Sequence, residues 1–135
     1  MQGFSGTQAP FGRARPEPGP SERASVVTKA LIRAADLLAI NGKELALIIG
    51  LSEASLSRLR RGSDAVLTGK PYELALLFIR LYRSLDAIMG GDDAAAREWL
   101  RADNTALGGK PLERIRTIDG LAHVLAYLDA RRAPL

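Results

Sequence analysis

Few residues of this sequence have side chains that could take part in catalysis or hold a metal ion. Cysteine is absent and His123 is the one histidine, which excludes thiolate chemistry, cysteine-ligated zinc and any mechanism that needs two imidazoles. His123 follows Asp119 by four residues on a predicted helix, where an exposed or half-buried structural histidine is expected rather than a catalytic base. The adjacent Asp92 and Asp93 suit the positive end of a helix better than a carboxylate pair for acid–base or metal chemistry.

The segment Gly108-Gly109-Lys110 contains the Gly-Lys pair of a phosphate-binding loop without the rest of that pattern. The loop requires a preceding strand, a glycine where this chain has Asn104, and a serine or threonine where it has Pro111. No group of residues combines a nucleophile, a base and an orienting side chain. We therefore expect no catalytic residues, no metal site and no cofactor, and a protein that is not an enzyme.

The basic residues are concentrated in the middle of the chain. The 135 residues carry a net charge of +4, from 19 basic and 15 acidic side chains. Residues 43–70 contain five basic side chains against three acidic ones, whereas residues 92–135 contain seven of each sign. A local positive excess of this kind permits nucleic-acid binding without establishing it.

Residues 1–24 differ in composition from the rest of the chain. They are rich in glycine, proline and serine and show neither strand nor helix periodicity, which predicts a flexible arm. No stretch reaches the roughly 18 apolar residues of a membrane helix. The first residues lack the order of a signal peptide. We expect a cytoplasmic protein without a membrane partner.

From Ser25 onward the apolar residues recur with helical spacing and no strand pattern competes, so the predicted fold is all-α. The helix over residues 71–89 has apolar side chains on two faces. Such a helix is usually buried on both sides, here against either the C-terminal segment or a second subunit. Two domains are predicted, a helix-turn-helix bundle over 25–91 and a small helical domain over 92–135. The predicted helices cover residues 25–39, 42–49, 53–61, 71–89, 92–100, 111–116 and 119–131.

Two short helices joined by a tight turn predict a helix-turn-helix unit within residues 42–61. Ala46 is small where the two helices must approach closely, and Gly50 lies in the turn, where a positive φ is often required. Asn41, with Glu44 three residues later, predicts a capping box for the first helix. The residues predicted to point into the core are Leu51, Leu56 and Leu59.

The run from Glu44 to Gly62 resembles the helix-turn-helix of Xre-type repressors. In such a unit the start of the second helix faces the base edges of the major groove. The resemblance implies base contacts by Glu53, Ala54 and Arg58, since arginine pairs with guanine and glutamate accepts a hydrogen bond from cytosine. It also implies phosphate contacts by Lys43, Ser52, Ser55, Arg60 and Arg61. Helix-turn-helix units also serve as protein-interaction modules, an alternative that the acidic Glu53 leaves open.

A second pattern occupies the C-terminal third of the chain. It consists of Trp99-Leu100, the run from Asn104 to Gly109, Lys110-Pro111-Leu112 and the run from Thr117 to Leu121. On spacing alone these are the turn and cap residues of a small helical cap. The whole series closely resembles the toxin-binding domain of the Xre/MbcA/ParS antitoxin family, and the resemblance covers about residues 25–133.

In that family the C-terminal domain neutralises a cognate toxin with a RES domain, which consumes NAD. The antitoxin covers the entrance to the toxin's active site and represses the operon that encodes both proteins. The resemblance implies toxin contacts by Trp99, Asn104, Leu107, Gly108, Gly109, Pro111, Arg131 and Arg132. Of these residues, Trp99, Leu107 and Pro111 suit a structural role equally well.

The sequence therefore predicts a type II antitoxin that binds a RES-domain toxin and the operator DNA of its own operon. A homodimer, formed through the long helix 71–89, would present two reading heads to a palindromic site. One alternative is a stand-alone transcriptional repressor whose C-terminal domain dimerises or senses a ligand. Another is an inhibitor whose DNA-binding unit has decayed. A toxin gene beside this one would favour the antitoxin.

Overall fold

The structure is a computed structural model that describes residues 17, 19–63 and 65–132. The described residues form helices and connecting turns, with one isolated bridge between Asn104 and Gly109 in place of any strand. The predicted all-α fold is confirmed. The helices are α1 Pro20–Leu37, α2 Gly42–Ile49, α3 Glu53–Arg60, α4 Gly69–Ile88, α5 Asp93–Arg101, α6 Pro111–Arg114 and α7 Ile118–Arg132, with a short 3₁₀ turn at Thr105–Leu107 between α5 and α6.

Helix α1 begins at Pro20, earlier than the predicted start at Ser25. Proline at the first helical position costs the helix no hydrogen bond, because an N–H group there would have no partner inside the helix. The amide of Gly19 donates a hydrogen bond to the carboxylate of Glu22 at 3.0 Å, which closes the first turn. Residues 20–24, predicted as the end of the flexible arm, therefore belong to α1. Residues 1–16 and 18 of that arm lie outside the described part of the chain.

Helix α4 lies at the centre of the molecule. It packs most extensively against α7, then against α1 and α2. Its side chains Phe78, Leu81 and Leu85 are fully buried, and each contributes about 1.5–3 kcal/mol of burial free energy. Helix α7 of the same chain thus covers part of this apolar surface, whereas Leu76, on the second apolar face predicted for the helix, is 40% exposed.

A single hydrophobic core runs through both predicted domains. Its buried side chains extend without interruption from Leu31 in α1 to Leu128 in α7. The predicted boundary between residues 91 and 92 separates two segments of the chain that share this core. Neither segment encloses its own apolar residues without the other.

Polar contacts also join α4 to α7. Ser84, which is 1% exposed, donates a hydrogen bond to Asp129 Oδ1 at 2.7 Å. Arg80 pairs with Asp129 Oδ2 at 3.0 Å, and Arg132 donates to Ser84 Oγ at 3.3 Å. The buried hydroxyl is therefore satisfied, which avoids the free-energy cost of an unpaired polar group in the core.

Helix α5 is attached to the end of α1 by two arginines. Arg97 donates to the carbonyl oxygen of Leu37, and Arg101 donates to that of Ala39, both at 2.8 Å. Carbonyl groups at a helix C-terminus have no partner inside the helix, and a cation is favourable there. These contacts fix the second half of the chain against the first at a point distant in sequence.

Helices α6 and α7 meet at Gly120, which is buried. Its amide donates to Thr117 Oγ1 at 3.0 Å, so Thr117 caps α7. A Cβ atom at this position would overlap the carbonyl oxygen of Arg114. The glycine is required because the backbone of the α6–α7 connection occupies the space that any side chain would need.

We predict that Gly120→Ala lowers the free energy of unfolding by about 1–3 kcal/mol or more, because the backbone must move to admit the methyl group. Urea unfolding measures the effect. Gly42→Ala is the matched control, since its new Cβ would lie 3.8 Å from Leu56 Cδ2, an ordinary contact. The control is expected to change stability by less than about 1 kcal/mol. Equal stability of Gly120→Ala and the parent would contradict this account.

Candidate functional site

Helices α2 and α3 form a capped helix-turn-helix unit. The side chain of Asn41 accepts a hydrogen bond from the amide of Glu44 at 2.8 Å, and Ser52 Oγ accepts one from the amide of Ser55 at 3.0 Å. Gly50 ends α2 with a φ of +74°, the left-handed conformation that glycine adopts without strain. The predicted caps and the turn between the two helices are confirmed.

The inner side of this unit is apolar. Ala46 is 3% exposed, and Leu56 and Leu59 are also buried, as the sequence predicted. Leu51, predicted to point into the core, is half-buried and packs against its edge. These contacts orient α3 so that its opposite side faces outward.

Two arginines, one on the outward side of α3 and one at its C-cap, are held by serines. Arg58 Nη2 donates to Ser55 Oγ at 3.1 Å, and Arg61 Nη1 donates to Ser57 Oγ at 2.7 Å. Both guanidinium groups are exposed and form no ion pair with any residue in the described ranges. The sequence interpretation did not include Ser57 among the DNA contacts, although its position one turn before Arg61 was a usable signal.

The other predicted DNA contacts lie around this face. Glu53 and Ala54 are exposed at the start of α3, and Lys43 is exposed in the first turn of α2. Arg60 is placed differently, because both of its terminal nitrogens lie 3.3 Å from Asp36 Oδ1 on α1. Its guanidinium therefore lies at the flank of the α3 face, beside α1.

Glu44 connects the helix-turn-helix unit to the C-terminal segment. Its carboxylate forms a two-pronged ion pair with Arg116, with Nε–Oε2 at 2.7 Å and Nη2–Oε1 at 2.8 Å. The hydrogen bonds and the charge of Glu44 raise the pKa of the Arg116 guanidinium. The second half of the predicted capping box is thus absent, because the Glu44 side chain binds Arg116 instead of the amide of Asn41.

A surface cluster of two aromatic rings and one arginine joins α5 to α7. The rings of Trp99 and Tyr127 are stacked, with centroids 6.3 Å apart and planes inclined by 24°. The guanidinium carbon of Arg131 lies 4.3 Å above the Tyr127 ring. The structure thus brings together two predicted toxin contacts, Trp99 and Arg131, through Tyr127. The sequence interpretation missed Tyr127, although its spacing of four residues from Arg131 indicates a contact on a helix.

The predicted contact segment 104–111 is a closed turn. Asn104 and Gly109 exchange two backbone hydrogen bonds of 3.1 Å, and the Asn104 side chain accepts from the amide of Leu107 at 3.2 Å. Gly108 and Gly109 have φ values of +76° and +152°, which other residues rarely adopt. Leu107 and Pro111 are buried, which favours the structural role that the sequence also allowed. Gly108 is exposed at the tip of the turn.

The residues considered for chemistry lie apart from each other. His123 and Asp119 are exposed on α7, and Asp92 caps α5 by accepting a hydrogen bond from the amide of Ala95 at 3.0 Å. The helix start predicted at Asp92 is confirmed. In the parts of the chain that the structure describes, no three acidic or histidine side chains converge on a metal-sized site. None of the helices there has both the length and the apolar character needed to cross a bilayer.

Comparison with protein families gives two matches. The family described as the antitoxin Xre-like helix-turn-helix domain matches residues 17–80. The family described as the antitoxin Xre/MbcA/ParS C-terminal toxin-binding domain matches residues 84–133, so the two matches meet within α4. A comparison with curated proteins gave no match. By these two matches, in this order and on one helical core, the chain has the domain arrangement of the Xre/MbcA/ParS antitoxins.

Proposed function

We propose that this type II antitoxin neutralises a NAD-consuming RES-domain toxin by binding over its active site, and represses its own operon. One observation carries the proposal: the two matched domains share a single hydrophobic core. One of them exposes the α3 face, and the other matches a family described as toxin-binding. Both activities are binding events, for which no cofactor and no catalytic group of this chain is required.

Operator recognition is assigned to the exposed side of α3. Arg58 is the principal base contact in this proposal, because its guanidinium can exchange the single bond to Ser55 for two acceptors of guanine. Glu53 and Ala54, at the start of α3, complete the base-reading set. Phosphate contacts are assigned to Lys43, Ser52, Ser55, Arg60 and Arg61, whose hydroxyl or cationic groups lie around the same face.

We predict different effects for two arginines of this face. Arg58→Ala should weaken operator binding by about 1–3 kcal/mol and relax the preference at one base pair, since a base contact carries sequence information. Arg61→Ala should weaken binding to all sequences alike and reduce the salt slope by about 1, since one phosphate contact is lost. Fluorescence anisotropy over a salt series measures both effects. Unchanged operator affinity of Arg58→Ala would refute the base contact.

Toxin binding is assigned to the exposed groups of the C-terminal segment. Gly108 at the tip of the 104–109 turn and the two arginines at the end of α7 are accessible to a partner. Trp99 is half-buried and presents part of its ring. In this proposal Asn104 and Gly109 shape the turn that the toxin meets, while Leu107 and Pro111 hold that turn against the core.

We predict that co-expression of the chain prevents the NAD loss and growth arrest caused by the product of the neighbouring gene. Cellular NAD and colony counts are the measurements, and Arg58→Ala is the control that should still protect, since it lies outside the toxin-binding segment. A neighbouring product that neither binds the chain nor consumes NAD would contradict the RES-toxin proposal. Operator binding without such a partner would instead favour the stand-alone repressor.

We also propose a homodimer, because two α3 helices about 34 Å apart are needed to read both halves of a palindromic operator. The long helix has its main partner in α7 of the same chain, but its outer side leaves Leu76 exposed to 40%. The predicted mass in solution is twice 14.5 kDa, measured by light scattering. Leu76→Glu should shift the mass toward the monomer if the α4 surface is the interface. A monomeric parent at operator-binding concentrations would contradict the dimer.

A further inference from the structure

The cluster formed by Trp99, Tyr127 and Arg131 contains stacked aromatic rings in a chain that has few aromatic residues. The sequence has one tryptophan, three tyrosines and three phenylalanines, so stacked aromatic rings are a scarce feature. Two of these seven rings are stacked at the junction of α5 and α7, and both are half-buried. Large aromatic side chains and arginine are the residue types that most often dominate binding energy at protein interfaces.

The two rings are held in place before any partner arrives. Ala96 and Leu100 flank Trp99 on α5 and are buried, as are Val124 and Leu128 on either side of Tyr127 on α7. Both rings pack against the common core with one part and leave another part accessible. An anchor that is already ordered loses little conformational entropy on binding, which favours affinity.

The charge of the cluster is not neutralised within the described chain. Arg131 is exposed and forms no ion pair with any residue that the structure describes. Asp129, two residues earlier, is occupied by Arg80 and Ser84. Because the guanidinium stacks on Tyr127 through its face, its N–H groups at the edge can still bind a carboxylate.

We propose that this cluster is the energetic centre of the toxin contact, and that it binds a carboxylate flanked by an apolar side chain on the toxin. This assignment adds Tyr127 to the predicted toxin contacts. Because Tyr127 contacts both Trp99 and Arg131, it joins these two residues, which are far apart in sequence, into one site. The inference rests on the proposed antitoxin function and specifies which surface carries it. The two rings accept the apolar side chain and Arg131 pairs with the carboxylate.

The single tryptophan allows a direct test of contact. Antitoxin labelled with 5-fluorotryptophan has one ¹⁹F resonance, from Trp99. The probe is the unlabelled product of the neighbouring gene, and operator DNA is the control ligand. The toxin is expected to shift or broaden the resonance, whereas DNA should leave it in place. A complex that forms without any change of the resonance would overturn the assignment of Trp99 to the contact.

Substitutions in the full-length chain test the energetics. Tyr127→Ala is expected to weaken toxin affinity at least about 30-fold, as for an interface hot spot. Tyr127→Phe should stay within about threefold of the parent, because the ring is kept and the cation still stacks. Arg131→Glu should weaken binding more than Arg131→Gln, since it places a carboxylate opposite a carboxylate. Arg33→Glu is the matched control, an exposed arginine on α1 outside the cluster.

Operator binding and thermal unfolding of each variant separate a folding defect from a contact defect. Arg131 is exposed, so its variants are expected to fold even if Tyr127→Ala does not. If the parent binds the toxin and both Tyr127→Ala and Arg131→Glu bind it equally well, the cluster proposal is wrong and the antitoxin function stands. If the parent itself binds no toxin, the proposed function and the cluster proposal fail together.

Discussion

Helix α7 lies along α4, and this packing connects every other part of the molecule. Without α7, the side of α4 that it covers would be an apolar surface exposed to water, and the Ser84 hydroxyl would lose its hydrogen bond to Asp129. The same contact holds the C-terminal segment near the helix-turn-helix unit. The ion pair of Glu44 with Arg116 and the arginine contacts to the end of α1 are further links between the two halves of the chain.

The two surfaces to which we assign operator binding and toxin binding therefore share one scaffold. The α3 face is oriented by Leu56 and Leu59, and the aromatic cluster is supported by Leu100 and Leu128. All four belong to the same continuous core. A loss of packing in the middle of the chain is thus expected to impair both binding activities at once, whereas exposed substitutions on either surface affect one activity.

The features predicted correctly from the sequence are those set by local spacing. Apolar periodicity gave the helices, and side chains that cap within three residues, such as Asn41 and Ser52, marked the starts of α2 and α3. The missed features join distant residues. Glu44 and Arg116 are 72 positions apart, and no local pattern indicates that the glutamate leaves its own helix cap for that partner. The stacking of Tyr127 on Trp99 likewise depends on how α5 and α7 cross.

The same distinction between local and long-range features applies to the predicted site residues. Exposure of Arg58 follows from its position opposite the buried leucines of α3, which the sequence alone implies. The burial of Leu107 and Pro111 follows from how the 104–109 turn folds back on the core, which depends on the positive φ values of its two glycines.

The shared core also limits how far an inhibitor based on this chain can be shortened. The toxin-binding match begins at residue 84, near the end of α4, and so omits the buried Phe78 and Leu81. A peptide with that boundary would keep α7 but lose most of the helix that covers it, and the apolar side of α7 would then face water. By this argument, a shortened inhibitor would need to keep the part of α4 that packs against α7, or a designed helix that presents the same apolar surface.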